Sequence, residues 1–142
     1  MLARSDPFLS AEALDLTHRQ RDALVMALRF LEGKKVRTVN FDMSCWHMPV
    51  LMKGGQCGTA VCVGGLAEML IGEPVFTDRD GNCVIPYELS CLFFPGHVRS
   101  CDEWSDLKPR QAALALRRYL ETGTDGWREA LSRRSVKVRV PA

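Results

Sequence analysis

Apolar residues recur at helical spacing in two parts of the chain. One pattern predicts a helix over about residues 17–32, which starts at a capping box led by Thr17. The other predicts a helix over about residues 109–122, with Pro109 in its first turn and Gly123 as its C-terminal cap. These two amphipathic segments predict helices that each bury one face.

A third segment, residues 59–71, is apolar on all sides except at Glu68. A helix without a polar face is buried, so this segment predicts a central helix that the other two cover. Residues 75–85 predict a short hairpin with an Asp-Gly turn, and the β-branched residues of 36–41 predict an extended piece. The fold predicted for 1–142 is a compact single domain, mainly α with α+β character at its margins.

Composition agrees with a folded globular chain of one domain. It has 142 residues, of which 46% are hydrophobic and 25% are charged, and its net charge is +2. So small a charge does not favour nucleic-acid binding, and the longest apolar run is too short to cross a membrane. The first ten residues lack the apolar stretch of a signal peptide, so we expect a cytoplasmic protein. We also expect flexible ends at 1–9 and 132–142.

Charge is unevenly distributed along the chain. From Lys108 to the last residue there are nine Lys and Arg and three acidic residues, whereas the preceding part carries more acids than bases. We expect a protein partner, which would bind either at an exposed loop over 44–58 or at the basic C-terminal segment. The basic residues predicted to bind are Arg117, Arg118, Arg133, Arg134, Lys137 and Arg139.

Cys57 is the cysteine that the sequence favours for chemistry. It lies in a Gly-Gly-Gln-Cys-Gly-Thr segment just before the predicted central helix. Unpaired N–H groups and the dipole at a helix start would stabilise a thiolate there. With His97 and Asp102 later in the chain, this order predicts, as an alternative function, a thiol-dependent hydrolase or transferase with Cys57 as nucleophile.

A metal-stabilised domain is the second alternative. We expect no cofactor on the leading hypothesis, but zinc would bind on this one. The spacing of the possible ligands is not that of a usual structural zinc site. Free cysteines are most often small buried apolar residues, and we expect this of Cys62, Cys83 and Cys91. The ligands would be Cys45, His47, Cys57 and Cys62.

Two sequence motifs make the chain resemble a set of other proteins. The segment 57–65 (CGTAVCVGG) and the segment 109–127 (PRQAALALRRYLETGTDGW) resemble a set of small uncharacterised bacterial and phage proteins. Those share a Cys-Gly-Thr-x-x-Cys-x-x-Gly core and a Pro-x-x-Ala helix that ends in Thr-Gly and Trp. The resemblance implies a compact helical domain of phage or prophage origin and carries over no catalytic residue. The sequence contains no phosphate-binding loop, no paired catalytic carboxylates at a recognisable motif and no CxxC pair. The leading hypothesis is for this reason a small non-enzymatic interaction or accessory protein that binds or inhibits a host macromolecule.

Overall fold

The computed structural model describes residues 7–43, 47–51, 57–80 and 82–132. Helices within these ranges are α1 (Ala11–Leu14), α2 (His18–Glu32), α3 (Val63–Ile71), α4 (Tyr87–Phe93), α5 (Pro109–Thr122) and α6 (127–132). Two 3₁₀ helices cover Lys34–Thr38 and Cys101–Asp106, and the strands are β1 (Asn40–Phe41), β2 (His47–Leu51) and β3 (Cys57–Val61). The mainly α class is confirmed, with a small sheet at the margin.

Helix α2 begins at the predicted capping box. The Thr17 hydroxyl accepts a hydrogen bond from the Gln20 backbone N–H at 3.1 Å, and the Gln20 side-chain oxygen accepts one from the Thr17 N–H at 3.0 Å. The side-chain amide of Gln20 also donates to the Val75 carbonyl at 2.9 Å. One residue therefore both caps the helix and ties it to the segment that follows α3.

Helix α5 has the predicted bounds and packs against α2. It begins with Pro109, and it ends at Gly123, whose φ of 84° is the left-handed conformation that glycine adopts without strain. Ala23 of α2 and Ala112 and Leu116 of α5 are fully buried. These side chains belong to a core that runs from Phe8 to Trp127.

The region around the small sheet differs from its prediction. Residues 44–58 were predicted as a loop and 59–71 as helix, but β2 and β3 pair as antiparallel strands and α3 begins only at Val63. An apolar run without a clear period fits a buried strand as well as a buried helix, and strand pairing decides here. Pro49 is tolerated because β2 is an edge strand of the order β1-β3-β2.

The extended piece predicted for 36–41 is shorter than expected. Lys34–Thr38 forms a 3₁₀ helix, and only Asn40–Phe41 pairs, in parallel, with β3. The prediction of flexible ends at 1–9 and 132–142 falls mostly outside the described residues.

Helix α3 covers most of the segment predicted as the central helix, and its first five residues, 63–67, are buried. Leu66 and Ala67 are fully buried, and the helix packs on α2. Its one charged residue, Glu68, accepts hydrogen bonds from the Phe76 N–H at 2.9 Å and the Thr77 hydroxyl at 3.2 Å. Glu68 thus anchors the segment predicted as a hairpin, which in the described residues is reduced to an isolated Thr77–Cys83 bridge.

Candidate functional site

The predicted nucleophile is not at a helix start. Cys57 is the first residue of β3, and α3 begins at Val63. Because a helix dipole acts mainly within the first turn, it offers Cys57 no stabilisation as a thiolate. The prediction that Cys57 precedes the buried helix directly is therefore wrong.

The thiol that does lie at the start of α3 belongs to Cys62. It is the N-cap, and its Sγ accepts a hydrogen bond from the Gly65 N–H at 3.5 Å. Burial raises the pKa of Cys62 to about 11, because removing the thiolate from water outweighs the hydrogen bonds that favour it. At neutral pH this thiol is protonated and packed in the core, as the sequence predicted.

His97 has a carboxylate partner, but it is not the predicted one. Its Nε2 lies 3.0 Å from Oδ1 of Asp125, whereas Oδ1 of Asp102 accepts a hydrogen bond from the Ser100 hydroxyl at 2.7 Å. Asp102 belongs to the start of the second 3₁₀ helix. The predicted pairing of His97 with Asp102 is therefore replaced by a pairing with Asp125.

A cysteine completes this arrangement. One donor atom each from Cys91, His97 and Asp125 lie within 4.8 Å of one another. Cys91 comes from α4, His97 from the loop after it, and Asp125 from the turn between α5 and α6. We call these three residues the Cys91 cluster. Sequence reasoning found His97 but missed the other two, having assigned Cys91 to the apolar core.

Trp127 holds two parts of the Cys91 cluster together. Its indole Nε1 donates to the Leu92 carbonyl at 2.8 Å, and its backbone N–H donates to Oδ1 of Asp125 at 3.2 Å. The Trp127 side chain is fully buried. Leu92, the neighbour of Cys91, is therefore hydrogen-bonded to Trp127, which also bonds to the Asp125 side chain. These bonds hold the backbone of the cluster in place.

Gly126 brings the Asp125 turn against α5. Its N–H donates to the Ala115 carbonyl at 3.2 Å. A Cβ at this position would lie 2.5 Å from Cβ of Arg118 and 3.2 Å from Cα of Ala115. Only glycine allows the turn to approach the helix this closely. In the sequence, the Asp-Gly pair before Trp127 was the signal that indicates this turn.

Two of the four predicted zinc ligands, Cys57 and Cys62, are too far apart to share one ion. Cys57 and Cys62 lie at opposite ends of β3, which separates their backbones by roughly 16 Å at a rise of about 3.3 Å per residue. His47 pairs with Val61 at the end of the sheet far from Cys57. Cys45 lies outside the described residues. A single ion cannot bridge the two ends of this strand.

The predicted basic binding residues divide into two groups. Arg117 forms a two-point contact with Glu32 at 2.9 to 3.1 Å, and Arg118 pairs with Glu129 and Glu121. Both guanidinium groups therefore already have acidic partners within the chain. The other four residues lie outside the described part of the structure: Arg133, Arg134, Lys137 and Arg139. The predicted docking loop over 44–58 is described only where it forms β2 and the start of β3.

A second feature of the surface is a groove of about 960 Å³. It lies between the C-terminal end of α2, the first 3₁₀ helix and the first half of α5. We call it the α2–α5 groove. Apolar side chains and the exposed cations Lys34, Lys108 and Arg110 line it, and the Arg117–Glu32 pair closes one side. The apolar residues that line it are Leu31, Val36, Pro109, Ala113 and Leu114.

Comparison with protein-family models, with curated proteins and with solved structures gave no match. The resemblance to small bacterial and phage proteins therefore stays a prediction from the sequence. Among the helices that the structure describes, none is both long and apolar enough to cross a membrane.

Proposed function

We propose that this chain is a small non-enzymatic interaction protein that binds an acidic, amphipathic segment of a partner protein in the α2–α5 groove. The observation that carries the proposal is a set of exposed cations around an apolar groove. The cytoplasm predicted from the sequence is the proposed compartment, and the resemblance to phage proteins makes a host protein the proposed partner.

The groove supplies apolar surface for such a segment. Leu31 and Ala113 form its buried base, while Val36 and Leu114 are only partly covered by the chain itself. Apolar side chains of a partner would remove this remaining surface from water, at about 25 cal/mol per Å². An amphipathic helix laid in a groove is a recurring form of peptide recognition.

The charge around the groove favours a partner segment of negative charge. Lys34, Lys108 and Arg110 are exposed, and no acidic partner is seen for them in the described part of the chain. Arg117 differs, because Glu32 neutralises it. Three cations without acidic partners would attract acidic groups, which raises the association rate and disfavours basic segments.

The chain's own C-terminal segment does not suit this groove. Residues 133–142 carry four cations and no acid. Like charges would oppose their docking beside Lys34, Lys108 and Arg110. We therefore assign the groove to a separate acidic chain.

A designed peptide tests this proposal. The probe is a fluorescein-labelled helical peptide with Leu along one face and Glu on the others, and its counterpart carries Lys in place of Glu. Fluorescence anisotropy should show the acidic peptide binding at least about tenfold more tightly than the basic one, with an affinity that falls as salt rises.

Two charge reversals provide the matched comparison. Arg110 and Arg128 are each exposed and each the second residue of a helix, but only Arg110 lines the groove. R110E should weaken binding of the acidic peptide about fivefold, the equivalent of about 1 kcal/mol, and R128E should leave it unchanged. Equal binding of both peptides, equal effects of the two substitutions, or no binding at about 1 mM protein would overturn the proposal.

A further inference from the structure

We propose that Cys91, His97 and Asp125 form a binding site for a zinc ion. This site lies apart from the α2–α5 groove and does not depend on what binds there. It also differs from the zinc ligands predicted from the sequence, with which it shares no residue.

Geometry is the first argument. The sulfur, a ring nitrogen and a carboxylate oxygen lie within 4.8 Å of one another. Zinc binds sulfur at about 2.3 Å and nitrogen or oxygen at about 2.0 Å, so its tetrahedral ligands lie roughly 3.5 Å apart. A movement of about 1 Å is enough to bring all three atoms onto one ion, which would replace the direct His97–Asp125 contact.

The chemistry of the donors is the second argument. A set of one thiolate, one imidazole and one carboxylate suits zinc better than magnesium or calcium, which prefer oxygen ligands alone. The His97 side chain is 28% exposed and that of Asp125 is 9% exposed. The cluster is thus reachable from solvent, and water would occupy the fourth position.

Positioning is the third argument. Trp127 joins the backbone beside Cys91 to the turn that carries Asp125, through its bonds to Leu92 and Asp125. His97 lies on a loop, where the Val98 and Arg99 N–H groups donate to the Pro95 carbonyl. Two ligands are therefore held by packed elements, and the third sits on a turn that can adjust to an ion.

The location of Cys91 favours metal binding over nucleophilic catalysis. It is the fifth of the seven residues of α4, near the end where the helix dipole opposes a negative sulfur. A bound cation would supply the missing stabilisation. Binding would convert the thiol to a zinc-bound thiolate and release its proton to solvent, so affinity should rise with pH.

Cobalt titration of the full chain tests the site directly. A thiolate ligand gives Co²⁺ a sulfur-to-metal charge-transfer absorption, and tetrahedral coordination gives strong visible bands. We expect one equivalent of Co²⁺ to produce both, and one equivalent of Zn²⁺ to abolish them by displacement. A titration with no charge-transfer absorption would overturn the proposal.

Substitutions identify the ligands. C91S, H97Q and D125N should each weaken Co²⁺ binding at least about tenfold, and C91S should also remove the charge-transfer absorption. Cys83 and Cys101 are exposed and lie outside the cluster, so C83S and C101S serve as matched controls and should bind as the parent does. An unchanged spectrum in C91S would show that the cobalt is held elsewhere and would overturn the site.

A protection experiment keeps the test independent of folding defects. In the unsubstituted protein, Zn²⁺ should slow alkylation of Cys91 by iodoacetamide at least about tenfold and leave that of Cys101 unchanged. Site-resolved mass spectrometry gives both rates in one sample. Rapid alkylation of Cys91 that zinc does not alter would point to a free reactive thiol and overturn the metal site.

Discussion

Two cysteines occupy opposite kinds of position in this molecule. Cys62 caps the start of α3, where the helix dipole favours a thiolate, yet it is only 2% exposed and its pKa is raised by burial. Cys91 lies near the end of α4, where the dipole is unfavourable, yet it is partly exposed and has His97 and Asp125 beside it. The place that a thiol holds on a helix therefore does not decide its chemistry.

Access to water and polar partners decide it instead. Around Cys62 the backbone N–H groups of the helix start favour the charged form, but desolvation is the larger effect. At Cys91 an imidazole and a carboxylate converge, and each can offer a lone pair to a bound cation or to a proton. We therefore expect Cys62 to affect stability and Cys91 to affect binding, and the following changes test that division.

Removal of Trp127 should have the largest effect. W127A deletes a fully buried indole and its bond to the Leu92 carbonyl, and should lower the free energy of unfolding by about 3–5 kcal/mol. The same change should speed the alkylation of Cys91, which is already partly exposed, while Cys62 stays protected. Urea unfolding and mass spectrometry measure the two effects.

Trp104 offers the control for this substitution. Its indole also donates to a backbone carbonyl, that of Arg99 at 3.1 Å, but its side chain is only partly buried. W104A should cost about half as much as W127A or less. If both substitutions cost the same, or if W127A leaves alkylation of Cys91 unchanged, Trp127 does not support the cluster as we describe.

Alkaline pH should have the next largest effect, and it acts through Cys62. Its pKa is about 11 in the folded protein against an ordinary value of 9.0. Below pH 9 both states keep the proton and this contribution to stability is complete. Between pH 9 and 11 only the unfolded state ionises, so stability should fall by about 2 kcal/mol by pH 11.

Cysteine-to-serine variants isolate that contribution. C62S lacks the titrating thiol, so its urea midpoint should fall less between pH 9 and 11 than that of C101S, which keeps Cys62 and loses an exposed thiol. Tyr119, whose pKa burial raises to about 12, titrates alike in both proteins. Parallel pH profiles for the two variants would contradict a buried thiol at Cys62.

The sequence predicted the elements that depend on local signals and missed those that depend on contacts between distant segments. Helices α2 and α5 match their predicted bounds to within a residue, because the Thr17 capping box and the Gly123 cap are local signals. The β2–β3 pair was missed because hydrogen bonds between separate segments, rather than periodicity, make Pro49 part of an edge strand. Local patterns indicate elements, but pairing between segments depends on the whole fold.

The Cys91 cluster was only partly predictable for the same reason. His97 was chosen for its residue type, whereas its partner Asp125 lies 28 positions further along the chain. The two meet because α4, α5 and α6 pack around Trp127. No spacing rule in the sequence encodes that contact, although the Asp-Gly-Trp sequence marks the turn that makes it.

Compared with W127A and alkaline pH, substitution of Gly126 should have the smallest effect on the free energy of unfolding. It tests whether the turn has to approach α5 closely. G126A places a methyl group 2.5 Å from the Arg118 Cβ and 3.2 Å from backbone of α5, and should cost about 1–2 kcal/mol in urea unfolding. Gly96 is the matched control, since it adjoins His97 but a Cβ there meets nothing within 4 Å. G96A should change stability by less than about 0.5 kcal/mol. Because the displaced turn carries Asp125, G126A should also weaken Co²⁺ binding, and equal cobalt affinity in the two variants would show that the turn is not what positions the carboxylate.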